Sequence, residues 1–169
     1  NKVKLFFERY KEDGSEDIFG ERTAVRGGIN NSLSVSNDLL KVSDNGKGIG
    51  SEIIYNQVKA LRAFNADKIS ITASGSRPNK HSGYYAFPRL GFDGLIPNVY
   101  KGILYPGQKA REVLPREYSS AVSVQDLFAM PGGKEWWKEH GNTFQASFDL
   151  QEGSRSLEVL KAYRAEKKF

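Results

Sequence analysis

The sequence predicts an α/β domain, on three observations. An extended apolar run, Leu33 to Val42, leads into the glycine-rich stretch Asn45-Gly46-Lys47-Gly48-Ile49-Gly50-Ser51, which opens a helical pattern from about Ser51 to Phe64. Period-two alternation then resumes in Lys68–Ala73, so that strand, turn, helix and strand follow in order. Two further extended segments precede Leu33–Val42, in meander order.

Lys2 to Tyr10 alternates weakly and is rich in aromatics, as a strand would be. Lys11-Glu12-Asp13-Gly14-Ser15 reads as a turn, and Asp17 to Arg26 as the second strand of a hairpin. Gly27 to Asn31 is another turn, and the third strand, Leu33 to Val42, shows an interruption near Asn37-Asp38. In the helix, Ile54, Val58, Leu61 and Phe64 recur at helical spacing, and Asn65-Ala66-Asp67 ends it. Ile69, Ile71 and Ala73 share one face of the next strand, which a crossover connection pairs in parallel with the third.

Ser74 to Ser82 is loop-like, and Tyr84, Phe87 and Leu90 fit a short helix capped by Gly91. Pro88 removes an N–H there and keeps that helix short, kinked or late in starting. Leu95 to Pro115 is irregular. Ser123 with Asp126 resembles a helix cap, Lys134 to His140 is a second short helix, and Thr143 to Leu150 alternates as a strand. Ser154 to Lys168 is a charged helix with Leu157, Leu160 and Tyr163 as its apolar stripe.

At 169 residues the chain suits one domain with a core. It begins at Asn1, as a processed or excised piece would. No run of apolar residues is long enough for a membrane span, so a cytoplasmic location is expected. The absence of cysteine excludes disulfides and thiol catalysis. With only His81 and His140, a histidine-rich metal site is not expected. The net charge of +5 is compatible with an acidic partner, nucleic acid included.

The glycine stretch is the main candidate site. A loop that runs into a helix N-terminus presents unsatisfied N–H groups and the positive end of the helix dipole, which suits phosphate. Alternate glycines remove the side chains that would block close approach. The spelling is not that of a P-loop, because Lys47 is followed by Gly48, nor of the G-x-G-x-x-G dinucleotide fingerprint.

This order of elements, with Asn45-Gly46-Lys47-Gly48-Ile49-Gly50-Ser51 and, later, Phe87-Pro88-Arg89-Leu90-Gly91-Phe92, resembles the GNAT superfamily of acyl-CoA-dependent N-acyltransferases. The resemblance covers about Leu33 to Asp93. It implies a GNAT-like mixed, mostly antiparallel sheet flanked by helices, with one parallel strand–helix–strand unit. It also implies a single domain over 1–169, with 33–93 as the acyl-CoA-binding core and 94–169 as a divergent C-terminal part. The loop from Asn45 to Ser51 would hold the pyrophosphate of acetyl-CoA or another acyl-CoA, and the pantetheine arm would lie between the strands Leu33–Val42 and Lys68–Ala73. An acceptor amine would attack the thioester, with a backbone N–H stabilising the oxyanion, a base taking the amine proton and an acid protonating the thiolate.

Tyr85 is the first candidate for the acid, with Tyr84 as its neighbour, and His81 is the candidate base. Asp38 and Glu52 are further carboxylates near the expected site. The sequence departs from the family pattern in three ways: Asn45 replaces Gln or Arg, Phe87 stands where the family has its leaving-group tyrosine, and only about forty residues precede the loop. Trp136, Trp137 and Phe144 read as core before they read as a substrate platform. Two other readings stand beside the transferase. One is a GNAT-like binding or assembly module with a degraded site, within a larger protein or particle. The other is a GHKL-type ATP-binding domain, in which Asp44, ahead of Asn45-Gly46-Lys47-Gly48, would hold the adenine amine.

Overall fold

A computed structural model describes residues 1–27, 32–42, 48–77, 82–102 and 113–167. The strands are β1 (Lys2–Tyr10), β2 (Glu16–Gly27), β3 (Ser32–Val42), β4 (Ala66–Ser76) and β5 (Asn142–Asp149). The helices are α1 (Ile49–Ala63), α2 (Gly83–Arg89), α3 (Val124–Ala129), α4 (Gly133–His140) and α5 (Arg155–Lys167). The strands form one sheet in the order β1-β2-β3-β4-β5. β1–β2 and β2–β3 pair antiparallel, and β3–β4 is parallel, so the fold is mixed α/β with a five-stranded sheet flanked by helices. The chain divides into two compact units, Asn1–Ile71 with Ser147–Phe169, and Thr72–Ala146.

In the first unit the hairpin turn is set by Gly14, at φ 79°, and by the Asp13 carboxylate, which accepts from the Ser15 N–H at 2.9 Å. β2 and β3 differ by one residue across the Glu21/Arg22 step. Arg22 pairs with Asn37 and Glu21 with Leu39, which leaves Asp38 as the extra residue of a β-bulge. The interruption expected near Asn37-Asp38 takes this form. The parallel ladder runs from Leu33↔Ala66 to Asn37↔Ile71, and β3 continues to Val42 on β2 alone.

α1 begins two residues ahead of the expected Ser51, because Gly48 adopts φ 78° and serves as its N-cap. Ile54 and Val58 are buried as the spacing predicts. Phe64 is 69% exposed: it is the C-cap, and the left-handed Asn65 at φ 52° turns the chain off the helix face before Phe64 can share the apolar stripe. Gln57, on the buried face, is matched by Asn37: each amide donates to the other, at 2.9 and 2.8 Å. At its two ends α1 meets the C-terminal segment. Arg62 pairs with Glu152, and Ser51 and Glu52 meet Tyr163 and Arg164, so α1 and α5 run antiparallel.

The second unit is built on aromatic packing. Trp137 is fully buried, with Tyr100 and Phe144 rings 5.5 Å away. α2 keeps Pro88 as its penultimate residue. A proline there cannot donate to the Tyr84 carbonyl one turn back. The Trp137 indole N–H makes that bond instead, at 2.9 Å. Gly91 follows the α2 C-cap at φ 97°, the left-handed position expected of it. α3 carries the full capping box, Ser123 with Asp126. Thr72–Gln145 and Gly75–Thr143 hydrogen bonds join β4 and β5 in opposite chain order, as in an antiparallel pair.

Trp137→Phe is expected to lower the unfolding free energy by about 1–3 kcal/mol, because the buried Tyr84 carbonyl loses its donor. Adding Pro88→Ala should restore roughly 1 kcal/mol by supplying a backbone N–H. Urea denaturation of the two single variants and the double variant checks the coupling, and a double variant less stable than Trp137→Phe alone would overturn it.

Candidate functional site

The described part of the glycine stretch is Gly48, Ile49, Gly50 and Ser51; Asn45, Gly46, Lys47 and the Asp44 of the ATPase reading lie outside the described residues. The first intrahelical bond of α1 runs from the Glu52 N–H to the Gly48 carbonyl at 3.0 Å. The amides of Ile49, Gly50 and Ser51 precede it, and among the described residues no side chain caps them. A Cβ on Gly50 would meet no described atom within 4 Å. These features fit a bound phosphate: uncapped donors, a positive helix end and no obstructing side chain.

Two α5 residues that sequence reasoning did not single out for the site border this turn. The Tyr163 hydroxyl lies 3.2 Å from Ser51 Oγ. The Arg164 guanidinium stacks 3.5 Å over the Tyr55 ring, with Nη1 3.5 Å from a Glu52 carboxylate oxygen. That separation is within ion-pair reach, yet Nη1 is buried and makes no hydrogen bond among the described residues. The only signal in the sequence was a basic residue in the last turns of a charged helix, which says nothing about where the helix packs.

The bulge is the second feature. Asp38 is exposed, and Thr23 Oγ1 donates to its carboxylate at 2.6 Å. This bond, then one from Ser36, then the positive charges of Lys4 and Lys2, hold the Asp38 carboxyl below the usual aspartate range. Asp38 is therefore ionised at neutral pH and a weak proton acceptor. On the opposite face of the strands, Arg22 Nε donates to Asn37 Oδ1 at 3.1 Å, beside the Gln57 amide.

In the second unit the structure separates the two tyrosines. Tyr84 is buried, and its hydroxyl donates to the Lys138 carbonyl at 2.7 Å. Burial pushes its phenol above the ordinary value, against a smaller opposing effect of Arg77. Tyr85 is half-buried, its ring 6.1 Å from Phe128 and flanked by Arg89 at 5.5 Å and Lys138 at 6.0 Å. Among the described residues its hydroxyl has no hydrogen-bond partner. Phe87 packs edge-on against Phe92 at 5.3 Å. His81 lies outside the described residues. Trp137 and Phe144 are core, whereas Trp136 is half-buried, its enclosed indole N–H without a partner among the described residues, beside Tyr100, Tyr118 and His140.

The Asp38 carboxyl should titrate below about 3.9, the ordinary aspartate value. A carboxyl whose folded value is depressed adds stability above its unfolded value and loses it as pH falls through the folded one. Thr23→Val should move the Asp38 midpoint upward, as read by carboxyl NMR titration below about pH 5. An unmoved midpoint would show that the Thr23 bond does not set it.

No helix of the described residues is long and apolar enough to cross a membrane. No family model, no curated protein and no solved structure matches the chain.

Proposed function

We propose that this chain is an acyl-CoA-dependent N-acyltransferase of GNAT-like architecture, taking acetyl-CoA or another acyl-CoA and an amine acceptor. One observation carries the reading. β3 bulges at Asp38 where its parallel ladder with β4 ends, and the chain then enters a helix whose first amides no described side chain caps and where a Cβ on Gly50 would meet no described atom.

In this reading the Ile49, Gly50 and Ser51 amides hold the pyrophosphate, with Gly48 shaping the turn and Asn45, Gly46 and Lys47 extending the cradle. Arg164 adds positive charge beside it. The acyl-CoA supplies a thioester activated toward amines. Backbone N–H groups of β3 past Asn37 that point away from β2 polarise its carbonyl, because the ladder with β4 ends there. As the C–N bond forms and the C–S bond breaks, a base must take the amine proton and an acid must protonate the thiolate, roles for which the family resemblance nominates His81 and Tyr85. Tyr85 is preferred to Tyr84 because the Tyr84 hydroxyl is committed to Lys138.

A second reading is a binding or assembly module with a degraded site. The edge strand favours it, since β1 exposes Val3, Leu5, Phe6 and Tyr10, and so does Phe87, which has no hydroxyl. Binding without turnover is its signature.

The test is calorimetry with acetyl-CoA on the wild type and on Gly50→Glu. An acid in the first helical turn suits the dipole, so the variant should keep its fold while repelling a diphosphate. Dissociation constants in the micromolar range, about −8 kcal/mol, are expected for wild type. At least about tenfold weakening is expected for the variant, with an unchanged thermal midpoint. No binding by the wild type rejects the transferase reading. Where turnover is found, Tyr85→Phe should lower kcat by about 10²-fold with little change in KM.

A further inference from the structure

Arg22 differs from the four arginines held in described ion pairs. Arg9 pairs with Asp17, Arg62 with Glu152, Arg77 with Glu139 and Arg164 with Glu52. Arg22 is half-buried and has no carboxylate partner among the described residues. Its guanidinium lies 4.5 Å over the Phe7 ring, and Nε is held by Asn37. Phe7 can lie there because it pairs with Gly20, where a Cβ would collide with the ring.

The guanidinium is also fixed in place. Asn37 Oδ1 accepts from both Gln57 Nε2 and Arg22 Nε, and Asn37 Nδ2 donates to Gln57. That reciprocal pair locks the Asn37 amide with its oxygen toward Arg22. Taking a cation partly out of water without a counter-ion is unfavourable, and burial alone acts on this group. The free edge of a guanidinium fixed through Nε is shaped for a carboxylate held by two parallel bonds.

Its position names the part of the substrate concerned. Arg22 pairs with Asn37, the last residue of the parallel ladder, and Asp38 of the bulge follows. On the transferase reading, on which this inference rests, the thioester carbonyl lies at that bulge, and what extends past it is the acyl chain. We propose that Arg22 selects an acyl group ending in a carboxylate, of the succinyl class, over neutral acyl groups of equal length.

The experiment compares CoA, acetyl-CoA, butyryl-CoA and succinyl-CoA by calorimetry on the wild type, Arg22→Met and Arg22→Lys. Wild type should bind succinyl-CoA about tenfold more tightly than butyryl-CoA. Arg22→Met, which keeps an unbranched apolar stem against Phe7, should lose that gap while its affinities for CoA and acetyl-CoA stay unchanged. Arg22→Lys should keep part of it, as a charge without the planar fork. Equal wild-type affinity for succinyl-CoA and butyryl-CoA overturns the inference and leaves the transferase reading standing, and so does a gap that survives in Arg22→Met. Failure of every thioester and of CoA to bind overturns both.

Discussion

Two primary amides hold the first unit in register. Asn37 lies on a central strand and Gln57 on the buried face of α1, and each is nearly inaccessible to solvent. Either alone would leave a buried donor and acceptor without partners, at a cost of roughly 1–3 kcal/mol. Together they satisfy one another, and the pair can form only when α1 sits at one rotation and one height on the sheet. That choice also places the α1 N-terminus, since the helix is continuous from Ile49 to Ala63. The uncapped amides and the bulge at Asp38 thus have a fixed separation. An apolar contact at the same place would hold the helix about as strongly, with less definition of its rotation.

The strands were legible in the sequence because their pattern is local. Ile69, Ile71 and Ala73 alternate, as do Phe144, Ala146 and Phe148, and the structure buries all six. The bulge was legible as an interruption, since two polar residues break an apolar run at Asn37-Asp38. The hidden features depend on residues far apart in the chain. Gln57 reads as a polar interruption of an amphipathic helix until Asn37, twenty residues earlier, is seen to match it. Tyr163 and Arg164 reach α1 from more than a hundred residues away. Phe64 fits the helical period but falls where the backbone has already left the helix, a fact set by the φ of Asn65.

Pro88 shows how a local violation is absorbed by distant packing. The sequence alone gives a helix with a proline where an N–H is needed. The structure keeps the helix and brings the Trp137 indole to the carbonyl that the proline leaves open. Trp137 is thus more than filler in the second unit: its ring packs against Tyr100 and Phe144, and its one donor is spoken for. Tyr84 is committed in a similar way through its hydroxyl. Tyr85, next in sequence, has its ring held between cationic groups and its hydroxyl uncommitted within the described chain. The division of two adjacent tyrosines into a structural and an available one follows from helical geometry, which turns neighbours about 100° apart.

The same reasoning distinguishes the two polar features beside the bulge. Asp38 faces water, has hydroxyl donors and lies near Lys4 and Lys2, so its charge is satisfied without a ligand. Arg22, on the opposite face, has an aromatic ring and one amide oxygen and no carboxylate among the described residues. Ring and amide together leave the net charge in place, because neither carries a negative charge. A residue chosen only for packing on Phe7 could be a leucine or methionine, with no desolvated cation to accommodate. On the proposed reading, the guanidinium there, its orientation set by two buried amides, meets an anionic group of the substrate.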